Sequence, residues 1–427
     1  MLGLTRGTCN AVLVVLACTH LSPGFAAEQA SQSVDSKVPA DASGLPESAD
    51  NPAVTNIALY NSLVEQQLVD GDSYSPLLTE NLYGLGKALR EAGDYSRAND
   101  VLNQALHIDR VNNGLLNLSQ EPLYRELMQV NRGLGDWPGV NGYMDGLDQI
   151  YLEAYGPDDP ARLPILRELA HWHMEAFVQR GSIHSQYLVA AQAYAQESVR
   201  VVRKNFGDHD LQMIEPLRIS ALSNFYLSSF VGSTEPTQSK SGFYFGSAPQ
   251  PEVEAYNNQI QYASIYRNGR RDYQEMVTLL YQHTEASHLE RAATHAELGD
   301  WFLLFGKKKA ALAAYQDSIA LIEDAEEQEQ VRKEVFEPLR TLPVRTFEFG
   351  QDVNQPKVVT VEAELHVGLY GIVRGVDIIS VDNSKETDPD VQRKIYKVLK
   401  SQRFRPLLVN GEFTVREPIR KTFRVEI

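Results

Sequence analysis

The chain has 427 residues, 43% of them apolar, and its 40 Lys and Arg against 56 Asp and Glu leave a formal net charge of −16. That length exceeds one ordinary domain and the apolar content suffices for a core, so two folded regions are expected. The acidity argues against a bulk nucleic-acid binder, which would need a basic face, but leaves room for a local basic groove.

The first 27 residues read as an export signal. Arg6 supplies a positive start, Ala11 to Ala17 a short apolar stretch, and Pro23-Gly24-Phe25-Ala26-Ala27 a small-residue cleavage site. The apolar run falls far short of the roughly 20 residues that a spanning helix needs. Cleavage after Ala26 or Ala27 predicts a soluble periplasmic protein. Val15-Leu16-Ala17-Cys18 offers a second route, a lipoprotein box that would leave Cys18 as a lipidated anchor. Cys9 and Cys18 both lie inside this signal. Disulfides, thiol catalysis and Cys-bound zinc are therefore not expected in the mature chain. Residues 28–56 are rich in Ala, Ser, Asp, Gln and Pro and read as a flexible tether.

From residue 57 to 340 the pattern is helical and repetitive. Leu82, Leu85-Gly86, Leu89, Gly93-Asp94-Tyr95, Ala98, Leu102 and Ala105 fall at the spacing of a tetratricopeptide repeat. The small Gly86 and Ala98 let paired helices approach, Gly93 makes the turn, and the large apolar positions fill the seam. Leu298-Gly299, Phe302, Gly306, Ala311, Tyr315 and Ser318 repeat the register. Between them, Pro122 and Pro164 each start a helix that reaches an Arg-Glu-Leu triplet, Arg125-Glu126-Leu127 and Arg167-Glu168-Leu169. The loops Tyr155-Gly156-Pro157-Asp158-Asp159 and Phe206-Gly207-Asp208-His209-Asp210 are near copies. This longer period resembles the tetratricopeptide variety of kinesin light chains, and about five helix pairs are expected. Residues 228–252 interrupt the array with a Ser-, Gly- and Pro-rich stretch. Its aromatic cluster Phe243-Tyr244-Phe245 would dock on the protein itself or on a partner.

No catalytic residues, metal ligands or cofactor motif emerge, so an enzyme is not expected. His171 and His173 sit two apart on one helix and face different ways, and His283 and His288 pair no better. Neither a zinc-protease motif, a nucleophile elbow nor a phosphate loop is found. The acidic loops lack the ligand pattern of a calcium loop, and capping of the following helices accounts for their aspartates.

A column of cations is the more informative set. Counted on tetratricopeptide inner helices, the groove positions are Tyr83, Lys87, Arg90, Arg125, Gln129, Arg132, Arg167 and His171. Arginine forks suit carboxylates, so such a wall would attract an acidic peptide or a C-terminus. The same arginines have Glu80, Glu91, Glu126 and Glu168 beside them, and pairing with these would neutralise the wall.

After residue 343 the period changes. Val359, Val361, Ala363, Leu365 and Val367 alternate with polar residues as a half-buried strand. A turn at Gly368–Gly371 leads to a second strand from Ile372 to Val381. Asp388-Pro389 opens a helix whose apolar stripe is Val391, Ile395, Val398 and Leu399. Phe404-Arg405-Pro406 and Asn410-Gly411 follow, and Ile419, Phe423 and Val425 mark a last strand. This ββαβ segment, residues 343–427, resembles the C-terminal domain of TonB, the periplasmic energy transducer of Gram-negative bacteria.

The fold class expected is thus mainly α: a tetratricopeptide-type solenoid followed by a small α/β domain. The resemblance implies binding of a partner peptide by strand addition at Lys421, Thr422, Phe423, Arg424 and Val425. Arg416, Glu417, Arg420, Lys421, Arg424 and Pro418 would otherwise guard that edge. TonB's retained anchor, with a Ser and a His one helical turn apart, has no counterpart, since Leu16 precedes His20 by four. An exported adaptor for envelope proteins or peptides is therefore the leading expectation. A transport component engaging outer-membrane receptors is the alternative.

Overall fold

The computed structural model describes residues 52–69, 71, 73–179, 184–231, 251–336, 340–343, 358–382, 384, 388–409 and 411–426. The signal with Cys18 and the Phe243-Tyr244-Phe245 cluster lie outside the described residues. The described residues divide into two compact units, one up to residue 165 and one from residue 166 onward.

The first unit is helical: α1 (Pro52–Val69), α2 (Pro76–Glu91), α3 (Tyr95–Asn113), α4 (Glu121–Leu134) and α5 (Trp137–Tyr155). Helix α1 reaches back into the stretch read as tether. Ser75 caps α2 through Leu78 N–H, with Pro76 in the first turn. Asp94 caps α3 through Arg97 N–H, and Asp136 caps α5 through Gly139 N–H. The expected seam is buried, with Leu82, Leu85, Leu89, Ala98, Leu102 and Ala105 at 3% exposure or less. A Cβ on Gly86 would sit 2.5 Å from Leu102 Cγ, which is the close approach that the spacing predicts.

The division falls inside α6 (Leu163–Gln179). The second unit continues with α7 (Ser185–Phe206), α8 (Ile214–Leu227), α9 (Pro251–Gln282), α10 (His288–Leu304), α11 (Lys308–Glu323) and α12 (Gln328–Phe336). Pairing α2 with α3, α4 with α5, α6 with α7, α8 with α9 and α10 with α11 gives five helix pairs among the described residues. Asp159 and Asp210 each cap a short 3-10 turn, through Ala161 N–H and Gln212 N–H, as expected of the acidic loops. Ser287 and Glu290 form a reciprocal capping box at the start of α10. A Cβ on Gly299 would meet the Tyr315 ring at 2.7 Å, repeating the Gly86–Leu102 approach.

The remaining elements are β1 (Thr341–Leu342), β2 (Val358–Val367), β3 (Val373–Val381), α13 (Pro389–Ser401), β4 (Arg403–Phe404), β5 (Leu407–Val409), β6 (Glu412–Thr414) and β7 (Ile419–Glu426). An antiparallel sheet in the order β3-β2-β7 is the frame, with β1–β4 and β5–β6 as two small pairs. The buried faces of β2 and β7 close on Ile395, Val398 and Leu399 of α13. The main elements of this strand region run β2-β3-α13-β7 along the chain, and the β5–β6 hairpin is an addition that the spacing did not reveal.

That hairpin belongs to another core. Leu408, Phe413 and Tyr370 pack with buried residues of α10, α11, α12 and β1. Phe413 stands edge-on to both Tyr315 and Tyr370. The α/β segment and the last helices are therefore fused, not strung as separate beads.

The fusion is secured by Arg405, 2% exposed. Its guanidinium donates from Nε and Nη2 to the Asp300 carboxylate at 3.1 and 2.5 Å, and from Nη1 to Val335 O at 2.6 Å. Tyr315 Oη donates to Asp300 at 2.7 Å. Burial disfavours the charge on Arg405, but Asp300 and its hydrogen bonds more than restore it, so the guanidinium stays protonated. Phe404 beside it closes the sheet core, and its carbonyl occupies the place that a Cβ on Gly371 would need. With φ at +69°, that position admits glycine alone.

Candidate functional site

In the first unit the predicted groove residues lie on α2 and α4. Arg90 bonds Glu126 at 2.7 Å and approaches Glu91 at 3.7 Å. Arg125 bonds Glu121 at 2.8 Å, and Glu121 also accepts from Tyr151 Oη at 2.8 Å. The carboxylate opposite Arg125 is thus one helical turn behind it. Burial, then Glu126, pushes the Tyr83 hydroxyl up, with Arg90 opposing. Lys87 and Gln129 are exposed and Arg132 is half-buried. A cavity of about 310 Å³ opens beside Tyr83, with Glu80, Asp109, Asn112, Asn113 and Ser119 in its wall. Its polarity is amide and carboxylate, suited to donors more than to anions.

Arg167 and His171 belong to the second unit. Arg167 donates to Gln212 at 3.1 Å and stands 4.0 Å from Glu215. His171 Nε2 lies 2.5 Å from Glu215, whose carboxyl is drawn down by that hydrogen bond despite burial. In both units, then, glutamates answer Arg90, Arg125, Arg167 and His171. Two of these, Glu126 and Glu215, reach across from another helix. His173 faces away into the core, stacked 5.6 Å from Tyr194, and burial lowers it to about 4.

The strand-addition residues lie on β7. It pairs with β2 from Val358↔Glu426 to Leu365↔Ile419, and among the described residues no strand covers its other side. Phe423 and Val425 are buried beneath it, while Lys421 and Thr422 are exposed. Of the expected guards, Arg420 is turned onto the sheet face, bonded to Glu362 at 2.9 Å. Arg416 is not a guard: it is half-buried and donates to Phe336 O at 3.2 Å, because α12 presents a carbonyl there. Asn410 and the side chain of Arg424 lie outside the described residues.

Two features escaped the sequence. Asp300 and Arg405 are 105 positions apart, beyond any local pattern. On the solvent face of the sheet, His366 Nε2 bonds Asp377 at 2.8 Å with Glu364 4.0 Å away. These could ligate a metal. Glu364 and His366 are half-buried and Asp377 is exposed, and cross-strand hydrogen bonding accounts for their meeting. The alternation of β2 hinted at Glu364 and His366, but Asp377 needed the register.

No described helix is long and apolar enough to cross a membrane. No protein-family model matches the chain, and no curated protein matches it. Solved structures do. A Podosopora anserina putative kinesin light chain with nearly identical TPR-like repeats is 13% identical over 58% of this chain and 96% of that one, at a TM-score of 0.37. A substituted form of that protein gives 13%, 57%, 93% and 0.36. BtubC (BKLC) from P. vanneervenii gives 14%, 64%, 91% and 0.32. The class, a protein with tetratricopeptide-like helical repeats and a small C-terminal strand region, follows from the chain's own helix pairs, caps and interhelical glycines.

Proposed function

We propose that this protein is a non-enzymatic adaptor, exported to the periplasm, that holds a partner peptide by strand addition at β7. One observation carries the reading: among the described residues β7 is an open sheet edge with Phe423 and Val425 anchored beneath it, on a segment locked to helical repeats through Arg405. Backbone groups along such an edge supply affinity without a catalytic side chain. The resemblance of the ββαβ segment to the TonB C-terminal domain supports the same edge as the site. The helical repeats would add a second surface and raise the partner's effective concentration.

A photo-reactive residue replacing Thr422 in the native host tests this. A cross-link to an extended peptide of an envelope protein is expected, and a matching probe at Lys87 reports on the helical surface. If neither position captures a peptide, the adaptor reading falls. The mass of the mature N-terminus decides location: a start at Ala27 or Glu28 means soluble export, and a lipidated Cys18 a tethered form. An intact Met1 would instead favour an energy-transducing component.

A further inference from the structure

Among the described residues the sheet has a second open edge. β3 pairs with β2 alone among the described strands, and it runs beside α13. Val376, Asp377 and Ile378 of β3 and Pro389, Gln392, Arg393 and Tyr396 of α13 line a trough of about 470 Å³. Val376 and Ile378 give it an apolar floor continuous with the sheet core. Tyr396, 42% exposed, stands on its helical wall. One end is closed where Lys400 Nζ donates to Arg374 O and Ile372 bridges to Arg403. Further along, the β3 edge carries neither proline nor a covering strand among the described residues.

Charge selects the occupant. Helix α13 holds Arg393, Lys394, Lys397 and Lys400 against Asp390. Residues 358–427 carry twelve Lys and Arg against ten Asp and Glu, a net of +2 within a chain of −16. Arg393 meets Asp390 at 3.2 Å, but these side chains are 79% and 77% exposed, so the pair is weak and exchangeable. Asp377, the carboxylate on the strand side, is engaged by His366.

The geometry points to the β3–α13 trough as a docking site for an extended acidic peptide. The peptide adds as a strand to β3, sets an apolar side chain between Ile378 and Tyr396, and places a carboxylate against Arg393. This shares with the reading above the idea of peptide binding, but uses the opposite edge of the sheet.

A random-peptide display library selected on the full chain, followed by fluorescence anisotropy and amide exchange with the winning peptide, tests it. Selected peptides should carry Asp or Glu flanking an apolar residue. Tyr396→Ala and Arg393→Glu, both at exposed positions, should each weaken binding by about tenfold or more. Exchange protection should fall on residues 376–380. Protection of 421–425 instead, or binding indifferent to both variants, overturns the trough and leaves the β7 edge standing. Protection of neither edge, or a library that yields no binder, overturns both.

Discussion

Two repeats share one register and use it differently. Gly86–Leu102, Gly93-Asp94 and Ala98 in the first unit recur as Gly299–Tyr315, Gly306-Lys307 and Ala311 in the second. In the first, a glycine admits a flexible leucine and the contact is apolar. In the second, the glycine admits a tyrosine whose hydroxyl bonds Asp300, one residue after that glycine, and Asp300 receives Arg405. The same helical geometry is thus a plain seam in one place and a socket in the other. Periodicity specifies how helices pair, and a single polar side chain specifies what else they hold.

The largest effect should come from emptying the socket. Arg405→Met leaves Asp300 buried without its cation and should destabilise by roughly 3–5 kcal/mol in urea unfolding, whereas adding Asp300→Leu should recover much of that loss. Recovery absent from the double variant would mean that Arg405 acts mainly through Val335 O.

The second contrast is between two buried titrating groups. His173 is held near 4 by burial, so it stays neutral when folded and takes a proton when unfolded. Stability from it is present above its ordinary value of 6.5 and is lost as pH falls toward 4, by on the order of 3 kcal/mol. Asp272, raised to about 6 by burial although Ser220 donates to it, has the opposite sign. Its folded form keeps the proton, so stability is lost as pH rises from about 4 to 6, by a similar amount. The two offset each other in the native protein. Asp272→Asn should therefore expose a steep acid weakening in melts between pH 4 and 6.5, and His173→Phe should reverse the slope.

A methyl group compares the seams directly. Gly299→Ala must displace the ring of Tyr315, held by Asp300, and should cost about 1–3 kcal/mol. Gly86→Ala pushes on the branched end of Leu102 and gains helix propensity, so it should cost less. Equal losses would mean that the tyrosine ring yields as readily as the leucine.

The smallest difference lies in the caps. Asp94 caps α3 through Arg97 N–H, while Lys307 at the matching place makes no side-chain cap for α11. Asp94→Ala should lower stability by about 1 kcal/mol, and Lys307→Ala should change it by less than half of that.

Local chemistry explains what was legible in advance. Capping aspartates, the helix starts at Pro122, Pro164 and Pro389, and the stripe Ile395, Val398 and Leu399 are encoded within a few residues, so spacing reveals them. The alternation of β7 is read the same way, but its place at the end of the described sheet comes only from the strand order. What stayed hidden depends on register between distant segments. Arg405 read as part of the Phe404-Arg405-Pro406 mark and Tyr315 as a seam residue, and nothing local joins them to Asp300. Arg416 read as an edge guard because its attraction to Phe336 O comes from another layer. Glu215 meeting His171, and Glu126 meeting Arg90, are likewise contacts between helices, which a residue-by-residue count of neighbours finds only in part.

Arg405 also bears on how such a chain can be cut, grafted or shuffled. An excised α/β segment would carry Arg405 away from its carboxylate and bare Leu408 and Phe413. The truncated helical array would keep Asp300 stranded beside Tyr315. A transplant onto another repeat array would need Asp300, Tyr315 and the α12 carbonyl in place to receive it. The strand region is therefore inherited together with the repeats beneath it, as one indivisible cassette.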